Sequence, residues 1–272
     1  MEITAAILMV CVGIFAATYG SLVGSAGGFI LMPLLIVISP ESSPAILSAI
    51  SLSGILVAGI SGSWAYHLIG LIDYRSAFAF AIAGIPGAMI GVLIVQQIGT
   101  SVFRIILGMM LVLVGLLVLR GSDQRPLTTQ YKGLTQRHIK DRSGKVYEYQ
   151  FNLPLGLSAN FAVGILKSIF GIGGGLIFTP FAITVLGFPT MVATATSVFT
   201  LVFTTLAALI AHVMSGTFQE SGLELMPVAL GMAVGGQIGP RIAKKLGGIY
   251  VKRILAGTLT IIGFLLITSQ LL

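Results

Sequence analysis

The stretch from Lys167 to Pro180 reads KSIFGIGGGLIFTP, and it places one lysine and four glycines within an otherwise uncharged apolar run. A similar stretch occurs near the start of the chain, where Gly20 to Pro33 reads GSLVGSAGGFILMP. Glycine is a poor helix former because it loses more backbone entropy than other residues when a helix fixes it. A glycine-rich string inside apolar sequence therefore predicts an interrupted helix, and this chain contains the string twice.

The composition indicates a membrane protein. Of the 272 residues, 56% are hydrophobic and only 8% are charged, and the mean hydropathy is +1.04. Soluble domains carry about 25% charged residues, so this chain has too few charges to cover a water-facing surface. The single cysteine, Cys11, excludes an intrachain disulfide. The N-terminal stretch lacks a basic region, so we interpret it as a first membrane segment rather than a cleaved signal.

Apolar segments come in two runs, and we divide the chain into three parts on that basis. A first membrane repeat covers residues 1–119, a basic cytoplasmic loop covers 120–151, and a second membrane repeat covers 152–272. Each half contains five apolar segments, namely 3–20, 26–39, 44–67, 76–96 and 102–119 in the first and 153–168, 172–186, 190–213, 222–240 and 251–271 in the second. The second segment of each half is shorter than the roughly 20 residues that a spanning helix needs, which predicts broken or re-entrant helices.

The two runs are internal repeats. The glycines and the proline of the first string recur 147 residues later, so that Gly24, Gly27, Gly28 and Pro33 match Gly171, Gly174, Gly175 and Pro180. His67 and His212 match at a spacing of 145 residues. GAMIG at 87–91 matches GGQIG at 235–239, and for this pair we expect close helix packing rather than a binding site.

The charge distribution predicts the orientation of each half. Of the fifteen lysines and arginines, seven lie within 120–145 and five within 241–253, beside apolar segments. The positive-inside rule places these stretches in the cytoplasm, and their position suits membrane loops better than a nucleic-acid surface. Arg75 puts its turn inside as well, whereas the matching turn near Glu220 is acidic and belongs outside. We therefore predict an all-α polytopic membrane protein of two inverted repeats with broken or re-entrant helices and about 8–10 membrane segments.

The broken helices predict an anion site near the middle of the membrane. A break exposes unpaired N–H groups and a positive dipole end at the new helix N-terminus. The candidate substrate-binding residues are Gly24, Ser25, Gly27, Gly28, Lys167, Gly171, Gly173, Gly174, Gly175, Thr196 and Ser197. Other roles stay open: the glycines could pack helices together, the lysine could reach the membrane interface, and the hydroxyls could bond to their own helix.

The two matching histidines, His67 and His212, are candidates for a proton or gate role, because ionisable groups in membrane segments are often functional. The alternative places them at the membrane interface as helix-end residues. No Cys/His cluster suggests a metal, and no cofactor is predicted. GISG at 59–62 resembles the serine motif of rhomboid proteases, which would make Ser61 a nucleophile.

The chain as a whole resembles the sulfite exporter TauE/SafE family, also called the toluene-sulfonate uptake permease (TSUP) family. The resemblance rests on the two-half plan and on GSAGGFILMP (24–33), GIGGGLIFTP (171–180), ATATS (193–197) and HLIGLIDY (67–74). It implies multi-pass transporters of sulfite, sulfoacetate, other sulfonates, thiosulfate or related organic anions. The first string departs from the second, with GSAGG in place of GIGGG, which predicts a site with two unequal halves.

The sequence thus predicts a carrier, not an enzyme, for a small sulfur-containing or organic anion in the inner (cytoplasmic) membrane. We expect alternating access, with the anion bound at the broken-helix N-termini near the midplane. An anion channel and an intramembrane serine protease are the alternatives. The expected partners are the small anion and the lipid bilayer, without nucleic acid. A coupling proton or ion, a homodimer, the exact substrate and the direction of transport stay open.

Overall fold

The structure is a computed structural model that describes residues 3–120, 134–217 and 226–246, together with residues 257, 260, 261 and 264. Its elements within these ranges are α1 (Ile3–Val23), α2 (Gly28–Ile38), α3 (Pro44–Ile69), α4 (Tyr74–Val95), α5 (Thr100–Arg120), β1 (Thr135–Lys140), β2 (Val146–Phe151), α6 (Leu153–Phe170), α7 (Gly175–Thr184), α8 (Thr190–Met214) and α9 (Met226–Leu246). Four of these helices, α3, α4, α6 and α8, are long and apolar enough to cross a bilayer. The predicted all-α polytopic class is confirmed, while the predicted segment 251–271 lies almost entirely outside the described residues.

Both glycine strings lie where one helix ends and the next begins, as the sequence predicts. In the first break (residues 24–27), Gly24, Ala26 and Gly27 have φ of 92°, 56° and 95°. In the second break (residues 171–174), Gly171 and Gly173 have φ of 58° and 78°. These left-handed values favour glycine because a Cβ is strained there. The helices that follow, α2 and α7, have 11 and 10 residues, so each reaches roughly half of the ~30 Å hydrocarbon core.

Helix packing follows the repeat. The helices α1, α3 and α4 of the first half correspond to α6, α8 and α9 of the second. α1 packs along α9 while α6 packs along α4, and α3 contacts α9 while α8 contacts α4. Each of these contacts therefore has an equivalent contact in which every helix is replaced by its counterpart from the other half. The counterparts α3 and α8 pack on each other. The two halves are therefore interlocked, since each contributes its first helix to the fourth helix of the other.

The glycines of GAMIG and GGQIG make equivalent close contacts at these interlocked helices. Gly87 and Gly91 lie on the backbone of Phe161 and Ile165, and Gly235 and Gly239 lie on the backbone of Ile14 and Thr18. A Cβ at any of the four would overlap a carbonyl oxygen of the facing helix. Small residues let membrane helices approach closely in this way, so the motifs pack helices as expected.

The polar segment between the halves contains an antiparallel hairpin of β1 and β2. Arg137 on β1 pairs with the buried carboxylate of Asp73 at 3.3 Å, and the Tyr149 hydroxyl on β2 donates to the same carboxylate at 2.7 Å. Burial and this neighbouring negative charge raise the pKa of Tyr149. Asp73 also caps α4 by accepting a bond from the backbone N–H of Ser76. The hairpin is thus fixed to the start of α4.

Candidate functional site

The two breaks cross each other in direct backbone contact. A Cβ at Gly175 would overlap the carbonyl oxygen of Gly24, and a Cβ at Gly28 would lie 2.9 Å from the carbonyl oxygen of Gly171. A Cβ at Gly173 would likewise overlap the backbone of the first break. Glycine is required at these positions because only a residue without a side chain allows two backbones to approach so closely.

A small pocket lies beside the second break, where α6, α7 and α8 converge. Its lining residues are Asn160, Val163, Gly164, Lys167, Gly174, Gly175, Phe178, Ser197, Thr200, Leu201 and Thr204. The residues from α6 and those from α8 recur at spacings of three and four, which places each set on one face of its helix. The start of α7 contributes the glycines, so a helix N-terminus and its positive dipole end border the same space.

Lys167 is the ionisable residue of this pocket, and it is only 1% exposed. Its Nζ donates to Oγ1 of Thr204 at 2.6 Å and to Oγ1 of Thr205 at 3.0 Å. The ion pairs found among the described residues join Arg137 to Asp73 and His138 to Glu148. No carboxylate lines the pocket in the described part of the chain. An ammonium group has three donors, so a protonated Lys167 keeps one donor and its full charge for a ligand.

Other donors in the pocket are also available to a ligand. Oγ of Ser197 is buried and has no hydrogen-bond partner within the described ranges. A buried polar group without a partner costs about 1–3 kcal/mol, so an oxygen of a bound ligand would stabilise it. Asn160 uses its amide for one long bond, 3.4 Å to the carbonyl of Gly156, and an amide carries two N–H donors. A buried lysine amine, a hydroxyl, an amide and a helix N-terminus together suit a small anion.

The residues predicted for the site fall into two groups. The pocket brings together Lys167, Gly174, Gly175 and Ser197. The other predicted residues lie outside the pocket. Four of them form the backbone crossing, namely Gly24, Gly28, Gly171 and Gly173. Gly27 packs on Ala16 and Ala17, Ser25 donates to the carbonyl of Gly20, and Thr196 accepts from the backbone N–H of Asp73. The hydroxyls of ATATS thus separate, because neighbouring residues on a helix point in different directions.

Sequence reasoning missed three polar residues of the pocket, Asn160, Thr200 and Thr204. Asn160 lies two helical turns before Lys167 on α6, and the two threonines continue the face of α8 that begins with Ser197. A search for polar residues three, four or seven positions from Ser197 and Lys167 would have found them.

The matched positions of the first half do not repeat the polar side chains of this pocket. The positions that match Lys167 and Asn160 hold Gly20 and Gly13, and those that match Ser197, Thr200 and Thr204 hold Leu52, Ile55 and Gly59. A Cβ at Gly20 would overlap the backbone of Gly27. The backbone of the first break therefore occupies the space that a side chain at Gly20 would need, and none of these matched positions carries a polar side chain.

The two histidines occupy unlike surroundings, and neither lines the pocket. The ring of His67 is exposed and its Nδ1 lies 2.6 Å from the hydroxyl of Tyr74. His212 is fully buried, with Nδ1 3.3 Å from Oγ1 of Thr217. The hydroxyl of Ser61 donates to the carbonyl of Ala233 and so joins α3 to α9. The described residues include no group of three or more His, Cys, Asp or Glu side chains that could hold a metal ion.

Comparisons with known proteins agree on one family. The family model described as "Sulfite exporter TauE/SafE" matches residues 9–266. The chain is 30% identical over 267 residues to a Bacillus subtilis protein named "Probable membrane transporter protein YunE", covering 96% of this chain and 97% of that one. It is 22% identical over 273 residues to "Probable membrane transporter protein MJ0441" of Methanocaldococcus jannaschii, covering 96% and 94%. No solved structure matches the chain significantly.

Proposed function

Since the chain belongs to the sulfite exporter TauE/SafE family, we propose that this multi-pass membrane transporter carries a small sulfur-containing or organic anion across the cytoplasmic membrane. The anion binds in the pocket beside the second break, which we call the Lys167 pocket. Sulfite, sulfoacetate and other sulfonates are the substrates to test first.

The observation that carries this proposal is the burial of Lys167 and the neutral character of its hydrogen-bond partners. Its amino group is buried and its recorded partners are the neutral hydroxyls of Thr204 and Thr205. Burying a charge costs several kcal/mol unless an opposite charge or good hydrogen bonds compensate it. A bound anion would provide that charge, and the Ser197 hydroxyl and the start of α7 would provide further donors to its oxygens.

The aromatic side chains next to the pocket support a carrier rather than an open channel. The ring of Phe178, which lines the pocket, packs on Phe80 with 5.0 Å between ring centroids. Phe80 in turn contacts Phe151 of the hairpin and Phe188, which precedes α8. We propose that these four rings, which pack in sequence from the pocket to the hairpin, form a barrier on this side of the pocket. A carrier that works by alternating access needs such a barrier on one side while the other side opens.

Transport by purified protein in liposomes tests the proposal. We expect uptake of radiolabelled sulfite or sulfoacetate to saturate and to be accelerated when the same anion is loaded on the far side. A channel would give flux that neither saturates nor responds to the far side. The Lys167→Met variant should lose at least 90% of the uptake, because it removes the charge that binds the anion.

Lys245→Met is the matched control, because Lys245 is exposed near the end of α9. It should transport like the unchanged protein.

A thermal-shift screen against anions, cations and sugars gives an independent measurement, since a ligand of the folded state raises its stability. Stabilisation by cations or sugars alone would refute the anion assignment. The protease alternative predicts peptide cleavage that Ser61→Ala abolishes, whereas a carrier would be indifferent to that change.

A further inference from the structure

Within the described part of the chain, Lys167 has no carboxylate partner. Its Nζ contacts the hydroxyls of Thr204 and Thr205, and the other residues that line its pocket are glycines or carry apolar, hydroxyl or amide side chains from α6, α7 and α8. On the helices that pack on α6, the titratable side chains lie near the helix ends. They are Tyr66 and His67 on α3, Tyr74 and Arg75 on α4 with Asp73 just before it, and His212 on α8. Among these, His212 lies about two turns beyond Thr204 and contacts Thr217 rather than the pocket.

We infer that Lys167 carries a coupling proton, so that the protein moves its anion together with H⁺. This inference rests on the proposed function. With the pocket empty, a neutral amine avoids the cost of an isolated buried charge. When an anion enters, the amine takes up one proton from the same aqueous phase and becomes the counter-ion of the ligand. Anion and proton then leave together on the other side, and the amine returns uncharged.

The hydrogen bonds of Lys167 fit both protonation states. A neutral amine donates two hydrogen bonds, and the structure records two acceptors, Thr204 and Thr205. Oγ1 of Thr204 lies 3.2 Å from the carbonyl oxygen of Thr200 and can donate to it, so its oxygen remains an acceptor for Lys167. Protonation adds a third N–H without disturbing these two bonds. That third donor belongs to a group that lines the pocket, where the anion binds.

Thermodynamic linkage then predicts how a pH gradient affects anion transport. Because proton and anion each favour binding of the other, a proton gradient drives the anion. One proton with one monovalent anion carries no net charge, so uptake should follow the pH gradient and not the membrane potential. At equilibrium each pH unit of gradient should concentrate the anion about tenfold.

Ethanesulfonate and sulfite are the probes, and ethanesulfonate is the decisive one because it remains a monovalent anion throughout the neutral range. Liposomes with the unchanged protein should accumulate radiolabelled ethanesulfonate when the outside is more acidic, with no effect of an imposed potential. Lys167→Arg keeps a fixed positive charge, so it should retain anion-for-anion exchange but lose accumulation driven by the pH gradient. Lys245→Arg, at an exposed position, should behave like the unchanged protein.

The outcomes separate the two proposals. If the unchanged protein exchanges neither probe, the proposed function fails and this inference fails with it. If it exchanges them but ignores the pH gradient, the anion site stands and the coupling proton is refuted. Accumulation by Lys167→Arg that still follows the pH gradient would also refute it.

A second measurement does not depend on the folding of Lys167→Arg. Adding ethanesulfonate to the unchanged protein in weakly buffered detergent solution should raise the pH by uptake of up to one proton per protein. The same addition to the Lys245→Arg protein should give an equal signal. No proton uptake despite a ligand-induced thermal shift would refute the inference.

Discussion

The first and second breaks have the same backbone design but different surroundings. Both end a helix with left-handed glycines and start a short half-helix, and each packs on the other through matched glycines. Beside the second break lie Lys167, Ser197 and a row of threonines around a pocket. Beside the first, the matched positions hold glycine, leucine and isoleucine. The comparison teaches that the duplicated breaks pack on each other in both halves, whereas the polar side chains through which we propose that the anion binds are absent from the matched positions of the first half.

The largest effect is expected where the two breaks touch. Gly175→Ala would force a Cβ into the carbonyl oxygen of Gly24, and neither backbone can move without displacing the other break. We expect almost no folded protein, as judged by the yield of a single peak in size-exclusion chromatography. Gly99→Ala is the control, since nothing lies within 4 Å of its added Cβ. A well-folded Gly175→Ala protein would contradict the crossing of the breaks.

Gly27 and Gly174 are matched residues that should respond differently. At Gly27 the φ is +95° and a Cβ would overlap the carbonyl of Ala16, so Gly27→Ala should cost several kcal/mol of stability. At Gly174 the φ is −62° and the nearest atom to a Cβ is Cδ of Lys167 at 3.1 Å. Gly174→Ala should therefore change the free energy of unfolding by less than ~1 kcal/mol and weaken anion binding. Thermal unfolding with and without sulfite measures the stability and the anion binding of each variant. Equal destabilisation of the two variants would contradict the predicted difference between Gly27 and Gly174.

Leu52, the counterpart of Ser197, tests whether the first half is a packed core at this position. Its side chain is fully buried, so Leu52→Ala should cost about 2–5 kcal/mol. The anion affinity of the protein that still folds should stay unchanged, because Leu52 does not line the pocket. Denaturant unfolding and anion titration measure these two quantities. A loss of affinity without a loss of stability would place a binding role in the first half.

Ser197→Ala should give the smallest effect. Its buried Oγ has no partner among the described residues, so its removal should leave stability unchanged or slightly raised. If the hydroxyl bonds to the anion, the affinity should fall by about fivefold, which corresponds to ~1 kcal/mol. Isothermal titration with the bound anion measures this change. Unchanged affinity would show that Ser197 does not bind the anion. The other donors of the pocket would then have to be tested in the same way.

The amino-acid sequence by itself determined the general architecture. The apolar segments predicted each of the helices α1 to α9, because bilayer thickness fixes the length and polarity of a membrane helix. The glycine strings predicted both breaks, because left-handed backbone strongly prefers glycine. The repeat could also be found in the sequence, since matched glycines and histidines keep their spacing.

Only the tertiary structure decided which residues share a site. The sequence grouped Thr196 with Ser197, but a helix rotates neighbours by about 100°, and Thr196 contacts Asp73 while Ser197 lines the pocket. It also could not show that Thr204 and Thr205 bind Lys167, since these residues lie on different helices. The hairpin contact at Asp73 and the interlocking of the two halves also join residues that are distant in the sequence, so the sequence could not show them either. Helix formation depends on nearby residues, whereas a binding site depends on which helix faces meet.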